Sequence, residues 1–161
     1  MEKFGLYALR PSRKRLQPGD ALVMRFVVTR EYLFGRVIDT NAVFPLSGER
    51  GAILVYVYCH RSPDRSTPEQ LSRSDLLLPP RITNTLGWSR GYFETVEHRE
   101  LAAADTLAQH CFRTATGNLL DENGTVVNRE CSHPIGNWGV DSYGSIYYEA
   151  SKALDIPVLA D

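Results

Sequence analysis

The chain has 161 residues, 43% of them apolar and 23% charged, with a formal net charge of -1. That composition excludes a disordered chain and provides core enough for one globular domain. A balance so near neutral also excludes the broad basic field of a nonspecific nucleic-acid binder, and no apolar run approaches a membrane span.

Residues 1–15 read as a flexible basic leader, with "RPSRKR" at 10–15 as a solvated arm, and residues 16–161 as a single domain. The opening "MEKFGLYALRPSRKR" carries no apolar signal core, so a secretory signal is not expected. "PGD" at 18–20 is a turn that launches "ALVMRFVVT" (21–29) and "YLFGRVID" (32–39), both rich in β-branched and aromatic residues. Only Arg30 and Glu31 separate them, which predicts a tight hairpin, and Gly35 predicts a bulge or bend. "GAILVYVYC" (51–59) is apolar nearly throughout and predicts a central strand covered on both faces. Thr67, Pro68 and Gln70 have the cap pattern of a short helix.

"LLLPPRITNTLGWSRGYFETV" (76–96) brings Trp88, Tyr92 and Phe93 together around Gly87 and Gly91. Tyr92 and Phe93 adjoin on a predicted strand (91–97) and would face opposite ways, so an aromatic cage from this segment is disfavoured. The glycines instead permit a sharp turn that folds the indole onto the sheet. "LAAADTLAQ" (101–109) is alanine-rich enough for a short helix, and "NLLDENGTVVN" (118–128) reads as a hairpin turning at Asn123-Gly124. "NWGVDSYG" (137–144) repeats the indole-glycine theme at Trp138, which with Trp88 would brace the sheet against the last helix. That helix starts near Ser142 and stops before Pro157, with Ile146, Ala150, Ala153 and Leu154 on one face. The predicted class is α+β: mostly antiparallel β, a strongly bent sheet or partly closed barrel, with a C-terminal helix packed on it.

Cys59-His60, His110-Cys111 and Cys131-Ser-His133 suggest zinc chemistry, but only Cys131 and His133 have a same-face spacing, and adjacent residues of a strand diverge. Cys59 and Cys111 read as small buried apolar residues of strands, and the odd cysteine count does not read as a disulfide framework. No metal site is expected, and the cysteine usage points to a reducing cytoplasm. There is no nucleophile elbow, P-loop, dinucleotide fingerprint or metalloprotease helix, so neither a catalytic residue nor a cofactor is expected. A small hydrolase using Cys131 and His133 is a third-ranked reading.

"GDALVMRF", "FGRVI", the apolar strand, "DLLLPPRITNTLGWSRGYF" and the tail "LLDENGTVVN…IGNWGVDSYGSIYYEASKALDIP" occur in an order that resembles the immunity protein 26 family of bacterial polymorphic toxin systems. The resemblance runs over roughly residues 16 to 157 and includes Trp88 and Trp138. It implies a cytoplasmic, non-enzymatic protein that binds and neutralises the C-terminal domain of a cognate toxin, with neither nucleic acid nor membrane as partner. If toxin domains attack nucleic acid through basic clefts, acidic and aromatic groups on loops complement them. Asp121 and Glu122 at the hairpin and Asp141 and Tyr143 before the last helix are the candidate partner-binding residues. The competing reading is a small barrel of SH3 or Tudor type that binds peptides or nucleic acid, since "PGDALVMRF…FGRVI" also suits such folds.

Overall fold

The computed structural model describes residues 4–128, 131 and 133–159. Three strands, β1 (Asp20–Arg25), β2 (Tyr32–Val43) and β3 (Arg50–Ser62), form its centre. Their buried side chains alternate between two clusters. Leu22, Met24, Leu33, Val37, Val55 and Val57 belong to one. Ala21, Val23, Phe34, Ile38, Leu54 and Tyr56 belong to the other. Successive side chains of a strand point to opposite faces, so the clusters are the two faces of one sheet. The near-continuous apolar run in β3 follows from this, since a strand covered on both faces has no polar side.

Three short strands complete the sheet: β4 (Arg81–Thr83), β5 (Glu94–His98) and β9 (Val140–Asp141). The order is β5-β1-β2-β3-β4-β9, antiparallel except for the parallel β4–β9 pair. The β2–β3 register slips at several points, the first between Leu33 and Gly35. A Cβ on Gly35 would stand 2.8 Å from the Tyr56 carbonyl oxygen, so the glycine permits the close approach there. The sheet stays open, with β5 and β9 as unjoined edges, and it does not curl strongly. The predicted α+β class therefore holds, whereas the partly closed barrel does not form.

One face is covered by the C-terminal helix and by residues that precede β1. The helix, α2 (Tyr143–Ala153), is capped by the Ser142 hydroxyl, which accepts the Ser145 N–H at 3.0 Å. It buries Ile146, Tyr147, Ala150 and Ser151, while Ala153 is exposed. The face is thus turned toward Tyr147, which Phe4 and Phe26 flank at ring distances of 5.1 and 6.0 Å. Residues 4–12 lie along the same face rather than loose in solvent. Leu6 is buried and bridges Phe26, the Leu9 N–H donates to the Gly91 carbonyl, and the Ser12 N–H donates to the Trp88 carbonyl.

The opposite face carries a small sheet of β6 (Phe112–Arg113), β7 (Leu119–Leu120) and β8 (Gly136–Asn137), ordered β7-β6-β8. The Asn123-Gly124 hairpin extends it, with Gly124 at φ 75° and Leu120 bridged to Val126.

Four local expectations change. First, the β1–β2 strands do not meet at Arg30-Glu31. Phe26 leaves the ladder to bridge Leu6, and a longer turn closes through Arg30 at φ 62°, its carbonyl held by Arg25 Nε at 3.0 Å. Second, Thr67–Gln70 forms no helix, because the Arg99 guanidinium takes the Pro68 and Glu69 carbonyls at 2.8 and 3.0 Å. Third, only a 3-10 turn (Ala103–Asp105) stands where 101–109 predicts a helix. Buried Arg36 donates to the Arg99 carbonyl at 2.7 Å and reaches Asp105 at 3.5 Å, while the Leu107 N–H goes to Tyr56. Those long-range anchors outweigh the modest preference of alanine for a helix.

The fourth change concerns the aromatics. Trp88 lies in a short helix, α1 (Leu86–Ser89), and is buried edge-on against Phe93 at 5.2 Å. Tyr92 and Phe93 precede β5 instead of lying on it, so both enter the core cluster that holds Trp88 and Ile146. A side chain on Gly87 would collide with the Phe93 ring. Trp138 does not brace α2. It is half-buried on the other face, 6.1 Å from Phe112. Trp88→Ala should accordingly cost about 3–5 kcal/mol, as large aromatic truncations in cores do. Chemical denaturation of the two proteins measures it, and an unchanged unfolding midpoint would contradict the core role.

Candidate functional site: the hairpin face and its buried relay

A hollow of about 360 Å3 opens on the small-sheet face beside Asp39, His110, Asp121 and Glu122. A chain of polar groups forms its floor. The Glu122 carboxylate meets His110 Nδ1 at 3.0 Å, and His110 Nε2 meets the Tyr56 hydroxyl at 2.5 Å. That hydroxyl also accepts the Leu107 N–H at 2.9 Å. With Nδ1–H directed at Glu122, the phenol hydrogen satisfies Nε2, and every member has a partner. Tyr56 lies on the same face of β3 as Leu54 and Tyr58, where its alternation places it, and His110 arrives from the loop before β6. Sequence reading misses this triad because its three members are joined only by tertiary folding.

The chain has the order of a proton relay, but its terminal oxygen is sealed: Tyr56 is 0% exposed, and burial pushes its hydroxyl up to about 12. Its service is to tie the hairpin and the 101–112 segment to the sheet. Burial raises the Glu122 carboxyl, but the hydrogen bond from His110 and the favourable electrostatics of that ring outweigh it and hold the group below its ordinary value. Nearby, burial raises the Tyr58 hydroxyl further still, and that hydroxyl and Arg36 Nε are buried without a hydrogen-bond partner among the described residues.

The four candidate contact residues are not brought into one patch. Asp121 Oδ1 accepts the N–H groups of Asn123 and Thr125 at 2.9 and 3.0 Å, shaping the turn. Glu122 belongs to the relay. Asp141 lies on edge strand β9, within 3.5 Å of Arg81 and accepting the Ser145 hydroxyl at 3.0 Å. Tyr143 stacks on Tyr92 at 4.8 Å and accepts from Arg90 at 2.8 Å, on the helix face of the sheet. All four keep partly exposed surface beside these internal duties.

The cysteines depart most from expectation. Cys111 and Cys131 form a disulfide across a separation of 20 residues, with Cα atoms 6.5 Å apart. While that bond stands, Cys131 offers no thiolate to a metal or to a hydrolytic dyad with His133. Cys111 is buried as expected, just before β6. Cys59 is free and exposed; burial and then Asp75 push its thiol up, which disfavours the reactive thiolate. Among the described residues no group of three His, Cys, Asp or Glu is arranged to hold a metal ion. No helix among them is long and apolar enough to cross a membrane.

Two measurements follow. A carboxyl held low in the folded state adds stability above its unfolded value, and that stability is lost as pH falls through the folded value. Glu122→Gln should thus lower the melting temperature at pH 7 and lose most of that deficit at pH 3; an equal deficit at both would mean that the charge is irrelevant. For the cysteines, thiol titration of the denatured, unreduced protein should count Cys59 alone, and all three after reduction. Cys131→Ser should cost about 3 kcal/mol from the freed loop. Equal thiol counts with and without reductant would show that the bond does not form.

Nothing among curated proteins or solved structures matches the chain. The model of one family does, described as immunity protein 26, over residues 17–119. That segment runs from the turn before β1 through β6 to the first residue of β7, and so includes the whole central sheet except β9, with Trp88, Tyr56 and His110. Since the match takes in more than half of the sequence and the order of its strands, the chain belongs to the immunity protein 26 family.

Proposed function

We propose that this protein neutralises a cognate toxin domain by occupying it in a tight one-to-one complex, without turnover. The family match over residues 17–119 carries this reading. The polar chemistry agrees with it, because the relay that most resembles a catalytic device ends on a buried phenol and acts as internal scaffolding. Protection by occupancy demands that free toxin stay scarce, so the affinity should be nanomolar or better, about -12 kcal/mol. The domain runs from about residue 16 to the C-terminal helix, acts in the cytoplasm and needs no cofactor. In a reducing compartment Cys111 and Cys131 would stand as thiols, and Cys111 would then pack as a small apolar side chain.

For the contact surface we favour Asp121 and Glu122, where Asp39 adds a third carboxylate at the mouth of the hollow, with Asp141 and Tyr143 as a second patch. Such a surface suits a basic toxin cleft, with charge steering the encounter and a few buried anchors supplying affinity. The test is coexpression with the toxin domain encoded beside this chain. Wild type should restore growth, and at least one of Asp121→Ala, Glu122→Ala, Asp141→Ala and Tyr143→Ala should lose protection while keeping its melting temperature. Full protection by all four moves the interface elsewhere. Failure of the wild type to protect overturns the function.

A further inference from the structure

A cleft of about 620 Å3 lies at the far edge of the main sheet, between the basic arm and β5. It borders all five consecutive residues Glu94–His98. Since neighbours on a strand point to opposite faces, a cleft that touches every one of them runs along the strand edge. The other wall is residues 10–17, which contribute Arg10, Lys14 and Arg15. This arm is fixed at both ends. Leu9 and Ser12 donate backbone hydrogen bonds to Gly91 and Trp88, and Pro11 packs so closely on Gly91 that a Cβ there would stand 2.9 Å from its nitrogen. At the other end Leu16 is buried, and the Gln17 N–H donates to Asp20 at 2.9 Å.

The charges of the two walls are unequally satisfied. On the β5 side, Glu94 pairs with Arg65, Glu97 with Arg99 at 3.0 Å, and Asp20 with His98 at 2.8 Å. Among the described residues, no carboxylate pairs with Arg10, Lys14 or Arg15. The cleft therefore presents a row of unpaired cations facing a wall whose carboxylates each have a partner. From Arg10 to Arg15 an extended chain reaches at most about 17 Å, room for several residues of a ligand and too long for a single small anion.

We propose that this cleft binds an extended acidic segment of a partner polypeptide. An extended peptide alternates its side chains, so it can turn carboxylates toward the arm and neutral groups toward β5. A nucleic-acid strand is charged on every unit and cannot alternate charged and neutral groups between the two walls. With β-strands about 4.8 Å apart, β5 stands roughly 24 Å from β9, so this site is separate from the Asp141 patch and independent of the toxin-binding reading.

Fluorescence anisotropy tests it on the full chain, with a labelled alternating Glu–Thr peptide of about ten residues, a Gln–Thr peptide and a single-stranded DNA of similar length. The acidic peptide should bind best. Combining Arg10→Ala, Lys14→Ala and Arg15→Ala should weaken it by about tenfold, as loss of three exposed charge contacts implies. Thr95→Trp, which fills the cleft from the β5 wall without changing charge, should weaken it as well. Arg113→Ala, an exposed cation on the small sheet, should change affinity by less than about twofold. The proposal is overturned if the wild type does not bind the acidic peptide, if the Gln–Thr peptide or the DNA binds as well, if the arm variant binds unchanged, or if Arg113→Ala weakens binding as much as the arm variant.

Discussion

β3 is buried on both of its faces, and a strand in that position obliges the rest of the chain to supply two covers. Neither cover could be a second large sheet, since the remaining strands are only two to five residues long. On one side the chain solves this with α2, the residues before β1 and the Trp88–Phe93 corner, which interlock around Tyr147. On the other it lays down the 101–112 segment and the small sheet, and fastens them with polar groups that reach out of the core. The Tyr56–His110–Glu122 chain and Arg36 with Asp105 are these fasteners. A cover made of loops has many backbone groups to satisfy, which is why the polar side chains of the core concentrate on that face.

This division explains which parts of the fold the sequence discloses. β1 and β2 follow from their β-branched and aromatic residues, β3 from its near-continuous apolar run and α2 from helical spacing, because each is long enough for its signal to repeat. Ser142 and the stop before Pro157 were legible as caps, and the Asn123-Gly124 turn as a hairpin. Apart from the β1–β2 turn and the closure of the sheet, the failures lie in the covers. At 67–70 and 101–109 local preference favoured helices, but Arg99 and Arg36 claim those segments from a distance, and no local window contains both partners. Tyr92 and Phe93 were misassigned for a related reason: the strand starts three residues later than its alternation suggests, so the two rings share a core instead of diverging.

The site was less legible than the fold. Asp121, Glu122, Asp141 and Tyr143 were chosen for loop position and chemistry, and each has an internal partner that loop position could not reveal. Glu122 is the clearest case, since nothing in "NLLDENGTVVN" announces a histidine held against it. The disulfide was missed because three cysteines suggest no framework, whereas pairing depends on the fold bringing Cys131 back to the start of β6. The basic run at 10–15 looked like solvated surface; its significance comes from Trp88 and Gly91, which hold it beside β5.

Tyr147 also places the fold in time. A side chain on Gly5 would collide with its ring, Phe4 packs against it, and its hydroxyl accepts the Leu159 N–H at 3.0 Å. The earliest described residues therefore dock on some of the last to be made. At roughly 5–20 residues per second of synthesis, Phe4 waits on the order of ten seconds for its neighbour to emerge. Through that interval Leu22, Met24, Val37 and Val55 lack the part of their cover that α2 supplies. A nascent chain of this kind exposes that apolar face until α2 arrives, the kind of transient surface that chaperones exist to shield.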